Sequence, residues 1–259
     1  MLKFTIITCT FNAQDVLQRT LDSVAEQTWD LVEHLIIDGA SRDATKAIAE
    51  RYQKAETAGD SGHEVVVVSE PDKGLYDAMN KGIARATGDY IVFLNAGDVL
   101  HSPTTLADIF AFVNERSDGL LPAVLYGDTD IVDEDGKFVC HRRLAPPDDL
   151  NWRSFMHGML VCHQAFYVRT DIAREEPYDL RYRFSADVDW CIRVMKHAEK
   201  LRLTLLRIPE VVADYLYGGM TNRNHRASLM ERFSVMRRHY GLMRTLAMHA
   251  WFAVRALLK

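Results

Sequence analysis

A chain of 259 residues, 48% of them apolar and 26% charged, can bury a sizeable core as one large domain or two small ones. Its net charge of −5 gives no electrostatic reason to expect a nucleic-acid partner. No apolar run reaches the roughly 18 residues that a spanning helix needs, and the apolar stretch after Met1 is too short, and lacks a small-residue cleavage site, to be a signal peptide.

The first hundred residues alternate strand and helix signals. Lys3 to Cys9 predicts a strand, and Gln14 to Gln27 a helix with Val16, Leu17, Leu21 and Val24 on one face. Val32 to Ile37 predicts the next strand and Ala44 to Tyr52 a helix capped by Asp43. Val65 to Val68, a helix from Leu75 to Ala86 and the run Tyr90 to Leu94 complete a βαβαβαβ order. That order implies a Rossmann-like, mostly parallel α/β sheet flanked by helices, with ligands at the carboxyl ends of the strands. The second half is less regular, with strands at Val124–Tyr126, Lys137–His141, Ala165–Val168 and Leu203–Ile208, a hairpin turn at Asp133–Gly136 and a helix at Asp187–His197. The four cysteines, Cys9, Cys140, Cys162 and Cys191, lie far apart and form no C-x-x-C pair, so free thiols and a cytosolic compartment are expected. After Asn224 the tail predicts a basic helix whose Trp251, Phe252 and leucines suit either an anionic membrane face or its own domain.

The chemistry gathers at the strand tips. Asp38 ends the second strand and, with Gly39 beside it, reads as a ligand for a nucleobase N–H or ribose hydroxyls or as a turn residue. Lys73 can meet a phosphate, and Gly74 opens a helix N-terminus to an anion. Asp77 lies one turn before Lys81, a spacing that also makes a plain surface ion pair. Asn95-Ala96-Gly97-Asp98 reads either as a turn or as a carboxylate placed for a hard cation carrying phosphate oxygens. Asp187 reads as a helix N-cap or as a base presented at a helix start; Asp189, two positions on, cannot share its face.

Five segments in order carry a resemblance: Thr8-Cys-Thr-Phe-Asn12, Ile37–Thr45, Asp72–Gly82, Phe93–Asp98 and Ala186–Arg193. The chain resembles an inverting nucleotide-sugar glycosyltransferase of family 2 with the GT-A fold, from Thr5 to about Arg193. The resemblance implies a nucleotide pocket lined by Thr8, Phe11 and Asn12, with Asp38 on the base and Lys73 and Gly74 in the nucleotide–sugar pocket. It further implies that Asp77, Ala78 and Asn80 face the donor, that Asp98 holds the metal and that Asp187 activates the acceptor hydroxyl.

Two departures stand out. The family's usual Asp-x-Asp-Asp cluster is reduced here to Asp98, with Asn95 and Gly97 at the first two acidic places, and Ala186 stands where a Glu commonly precedes the base. A lone carboxylate with diphosphate and water still suits Mg²⁺ or Mn²⁺. The expected partners are a nucleotide-sugar donor, UDP-sugar favoured, and a glycan or lipid-linked acceptor hydroxyl that His163 and Gln164 could touch. Gly218–Asn222 and Arg223 could close over the diphosphate. The implied setting is cell-surface polysaccharide assembly, in the cytoplasm or peripheral at the inner membrane face. The implied organisation is a GT-A domain over 1–223, with a nucleotide half at 1–98 and an acceptor half at 99–223, and a basic amphipathic tail at 224–259. Two rival readings are a degenerate nucleotide-sugar binding protein and a nucleotidyltransferase. The latter normally carries a glycine-rich basic loop where this chain has Thr10-Phe-Asn-Ala-Gln-Asp15.

Overall fold

The computed structural model describes residues 1–116, 119–218 and 225–257. Strands β1 (Phe4–Thr10), β2 (Val32–Asp38), β3 (Glu64–Ser69) and β4 (Tyr90–Phe93) run parallel, joined by helices α1 (Leu17–Ala25), α2 (Thr45–Ala58) and α3 (Leu75–Arg85). Every residue of β1, β2 and β4 is buried, as in a parallel sheet covered on both faces, so none of them shows a simple polar–apolar alternation. The second half adds β5 (Val99–Leu100), α4 (Thr105–Arg116), β6 (Val124–Val132), β7 (Phe138–His141), β8 (Phe166–Arg169), α5 (Thr170–Glu175), α6 (Ala186–Leu201) and β9 (Leu205–Leu216). Two C-terminal helices follow, α7 (His225–Tyr240) and α8 (Leu242–Leu257).

Among the described residues the sheet runs β3-β2-β1-β4-β8-β6-β9-β5, with β7 on β6. The first half steps outward from β1 to β3, and β4 then returns to the other side of β1. That reversal opens a crevice at the carboxyl ends of β1 and β4, the point where open α/β sheets take ligands. From β4 onward the pairing turns mixed: β8 is antiparallel to β4 and β6, and β9 is parallel to β6. Four elements lie outside the predicted set: α4, α5, β5 and the distal half of β9. Strand β9 passes through Pro209, where the β6–β9 register slips between Tyr126 and Asp128. A proline is tolerated there because a bulge needs no ladder donor from it.

An aromatic column supports the site from below. Trp190 on α6 is fully buried, stacks on Tyr178 at 4.8 Å between ring centres and meets Phe93 of β4 edge-on at 5.6 Å. Tyr178 stacks in turn on Tyr76 of α3 at 5.2 Å. Both helices of the tail pack in part on the domain, α8 through Met248 and Phe252. Val235, Met236 and Tyr240 of α7 are buried, whereas Leu242, Met243, Leu246, Trp251 and Val254 of α8 are exposed. No helix among the described residues is long and apolar enough to cross a membrane. All four cysteines are free.

Candidate active site

The crevice is a cavity of about 780 Å³ walled by the ends of β1 and β4, the start of α3, the start of α6 and the end of β9. Of the predicted residues it gathers Phe11, Asn95, Asp98, His163, Gln164 and Asp187. Phe11 stands on its wall with 60% of its surface exposed. A large aromatic left open at a strand tip offers a face for a flat ligand.

Asp187 lies in the first turn of α6. Its Oδ1 accepts from the Val188 N–H at 2.9 Å and from the Tyr76 hydroxyl at 3.3 Å. His163 Nδ1 stands 3.7 Å from Oδ2, an ion-pair rather than a hydrogen-bond distance. Burial works against ionisation, but the facing His163 imidazole, the Arg232 guanidinium and the Val188 N–H outweigh it and hold the carboxyl below its usual range. Asp187 is therefore a charged acceptor at neutral pH. His163 is itself oriented by Asn95, whose Nδ2 lies 2.9 Å from its Nε2.

Asn95–Asp98 forms a turn, with the Asp98 N–H bonded to the Asn95 carbonyl at 2.9 Å. Gly97 adopts φ 101°, and a Cβ there would come within 2.6 Å of Leu216, so an acidic residue at this place would be strained and crowded. Asp98 is nearly buried. Its Oδ2 accepts from Gln164 Nε2 at 2.7 Å and its Oδ1 from the Leu216 N–H at 3.0 Å. Burial pushes its pKa up to about 6, against the pull of those two donors. The turn reading is what the backbone shows, and the turn presents Asn95 and Asp98 to the cavity.

The other predicted donor residues are not on the cavity wall. Thr8 is buried, with Oγ1 hydrogen-bonded to His34 Nε2 at 2.9 Å; burial keeps His34 neutral, its pKa pushed down to about 3. Asn12 turns its Oδ1 to the Arg42 N–H. Asp38 is fully buried and accepts from the Ser41 N–H, the Ser41 hydroxyl and the Ser69 hydroxyl, so it braces its own loop. Asp43 caps α2 as expected, accepting the Thr45 N–H at 3.0 Å. Gly74 precedes α3 with φ 116°, and Lys73 is exposed. Asp77 accepts the Lys73 N–H and pairs with Lys81 at 3.8 Å, the surface pair its spacing allows. Ala78 lies in the core, and Asn80 clamps the backbone of Tyr178 through both its amide atoms. Helix α3 reaches the cavity through Leu75 and Tyr76 instead, because its other face packs on β1: a Cβ on Gly82 would sit 2.5 Å from Ile7. The loop predicted from Gly218 to Arg223 falls beyond Gly218 outside the described residues.

Three contributors went unread in the sequence. Tyr76 contacts Asp187, and Arg183, directly before the Phe184–Arg193 segment, lines the cavity. Glu231 of α7 accepts the backbone N–H groups of Arg183, Phe184 and Ser185 at 2.7 to 3.1 Å, fixing the turn that delivers Asp187. Glu231 lies too far along the chain for local spacing to reveal it.

The model of the family described as Glycosyl transferase family 2 matches residues 5–174. A PGL/p-HBAD biosynthesis glycosyltransferase of Mycobacterium bovis (strain BCG / Pasteur 1173P2) is 36% identical over 221 residues, 85% of this chain and 79% of that protein. The amylovoran biosynthesis glycosyltransferase AmsB of Erwinia amylovora is 28% identical over 224 residues, 83% of this chain and 69% of that one. Among solved structures, S. aureus TarS 1-349 in complex with UDP-GlcNAc superposes with a TM-score of 0.68 at 18% identity. The alignment covers 91% of this chain and 65% of that one. The mannosyltransferase PcManGT from Pyrobaculum calidifontis, in complex with GDP-Man and Mn²⁺, gives 0.63 at 18% identity over 99% of this chain and 78% of that one. The fold is of the GT-A type, and the chain belongs to glycosyl transferase family 2.

Proposed function

We propose that this glycosyltransferase moves a hexosyl unit from a nucleoside-diphosphate sugar to an acceptor hydroxyl with inversion, Asp187 acting as general base. The observation that carries the reading is Asp187 itself: an ionised carboxylate on the cavity wall, held by Val188, Tyr76, His163 and Arg232. A base must be charged and within reach of the hydroxyl it deprotonates. Phe11 offers a face for the nucleobase, and Arg183, on the same cavity wall, offers a cation for the diphosphate. UDP-sugar is the favoured donor, supported by the UDP-GlcNAc complex of TarS, whereas PcManGT was solved with GDP-Man. Asp38 would reach a base only by giving up Ser41 or Ser69.

A divalent cation fits the Asn95–Asp98 turn. Asn95 Oδ1 is buried without a hydrogen-bond partner, and Asp98 adds a carboxylate, so the donor set is all oxygen, as Mg²⁺ and Mn²⁺ prefer. Bound there, the cation would neutralise the charge of the leaving diphosphate. Asp98 keeps one hydrogen bond on each oxygen, which orients the carboxylate, and Gln164 holds it from the acceptor side. The exposed apolar side chains of α8, with Arg244 beside them, are proposed to rest on an anionic membrane surface that presents a lipid-linked acceptor.

Nucleoside diphosphate release across a panel of UDP-, GDP- and dTDP-sugars, with and without EDTA, tests the reading. Release from one donor class, lost with EDTA, is expected; no release from any donor would sink it. A pH series adds a sharper check. Because the folded pKa of Asp98 is raised to about 6, the protonated form is favoured below it and competes with the cation. The cation concentration for half-maximal release should rise about tenfold per pH unit below about 6, and Asp98→Asn should abolish that dependence.

A further inference from the structure

Away from the cavity wall, Asp130 of β6 and Asp214 of β9 are direct neighbours across the parallel ladder. Their side chains are only 8% and 17% exposed. Like charges set side by side in a sheet repel, and burial deepens the cost. Among the described residues no lysine or arginine answers them. Their partners are imidazoles: His141 Nδ1 lies 2.7 Å from Asp130 Oδ1, and His101 Nδ1 lies 2.7 Å from Asp214 Oδ1. The sheet builds this arrangement, since His141 of β7 pairs with Asp130 and Val99 of β5, two residues before His101, pairs with Asp214. One ligand atom each from His101, Asp130 and Asp214 already lie within 4.8 Å of one another.

We infer that His101, Asp130, His141 and Asp214 form a second metal site, for a zinc-type cation and separate from the proposed donor site. Two nitrogens and two carboxylate oxygens are a tetrahedral zinc set, whereas Mg²⁺ takes oxygen ligands. The rings lie on the outer side, His101 with 42% and His141 with 80% of its side chain exposed, so each can turn Nδ1 from its carboxylate towards a shared ion. A ring that binds the ion through Nδ1 carries its proton on Nε2. Such an ion would tie β5, β6, β7 and β9 together. Asp98 directly precedes β5 and is bonded to Leu216 at the end of β9, so the ion would brace the two strands that flank Asp98.

The test uses the metal-stripped full chain with Zn²⁺ alone, in competition with a chromophoric chelator and without nucleotide. The wild type should bind a single zinc ion, gain thermal stability, resist displacement by excess Mg²⁺ and, with Co²⁺, show the intense visible bands of a tetrahedral site. The His101→Ala/His141→Ala variant should lose at least about tenfold in affinity together with the stability gain. Asp98→Asn should keep both, which separates this site from the donor cation. Should the double variant fail to fold, His141→Ala serves alone, since that ring is mostly exposed. Zinc binding that persists undiminished in the ring variants, or a wild type that binds none, overturns the inference.

Discussion

Asp187→Asn is expected to cut sugar transfer on the order of 10²–10⁴-fold, the usual worth of a positioned general base, while leaving affinity for the nucleoside diphosphate largely unchanged. Asparagine has nearly the same shape, and its Oδ1 can still accept the Val188 N–H, so α6 should start as before. What disappears is the charge that His163 and Arg232 hold in place and the capacity to take a proton. Steady-state rates beside calorimetric binding of the nucleotide separate the two effects. Near-normal turnover in the variant would remove Asp187 from the chemistry, and a parallel loss of nucleotide affinity would make its role structural.

Two positions along the same helix, Asp189→Asn should do the reverse. Asp189 is fully buried and accepts from Arg193 Nε at 2.7 Å and His239 Nε2 at 2.8 Å, with Arg238 at 3.6 Å. Burial alone would raise its pKa, but the His239 and Arg193 hydrogen bonds outweigh it and hold the carboxyl low. The variant leaves these donors facing an amide, and breaking a buried ionic group typically costs about 3–5 kcal/mol. For a chain of this size, about 3 kcal/mol lowers Tm by roughly 6–12 °C. Because the folded pKa is depressed, the stabilisation is present above the ordinary carboxylate range and is lost as pH falls through the folded value. The gap between wild type and variant should therefore narrow in acid, as thermal melts at successive pH values would show. An unchanged Tm at neutral pH would mean that the α6–α7 contact carries little of the fold's stability.

These two aspartates mark what the sequence could and could not disclose. Their spacing separates their faces, so it was legible that Asp189 would not stand beside Asp187 on the cavity wall. The core strands were too, because strands buried on both faces are rich in β-branched and apolar residues even where they carry a Thr, Glu33 or His34. Helix α4 belongs with the legible elements, since Leu106, Ile109, Phe110 and Val113 keep helical spacing, although no prediction above includes it. The distal half of strand β9 was hidden by Pro209, which ends the readable run and sits where the register slips. In the site, the motifs marked the strand tips and helix starts but not the direction of each side chain. Asp38, Thr8 and Asn80 turn inward to brace loops and core, and helix α3 presents Leu75 and Tyr76 to the cavity. Glu231 and Arg232 were beyond local reading altogether, because only the return of α7 across the start of α6 brings them to Asp187.

The central claim is transfer by a single displacement at Asp187. It is tested most directly by proton NMR of the product formed from whichever donor the panel identifies. An α-linked donor should give a β-linked product from the first turnover onward. A product that retains the α configuration would contradict the account, since retention cannot arise from one in-line attack by a hydroxyl that Asp187 deprotonates.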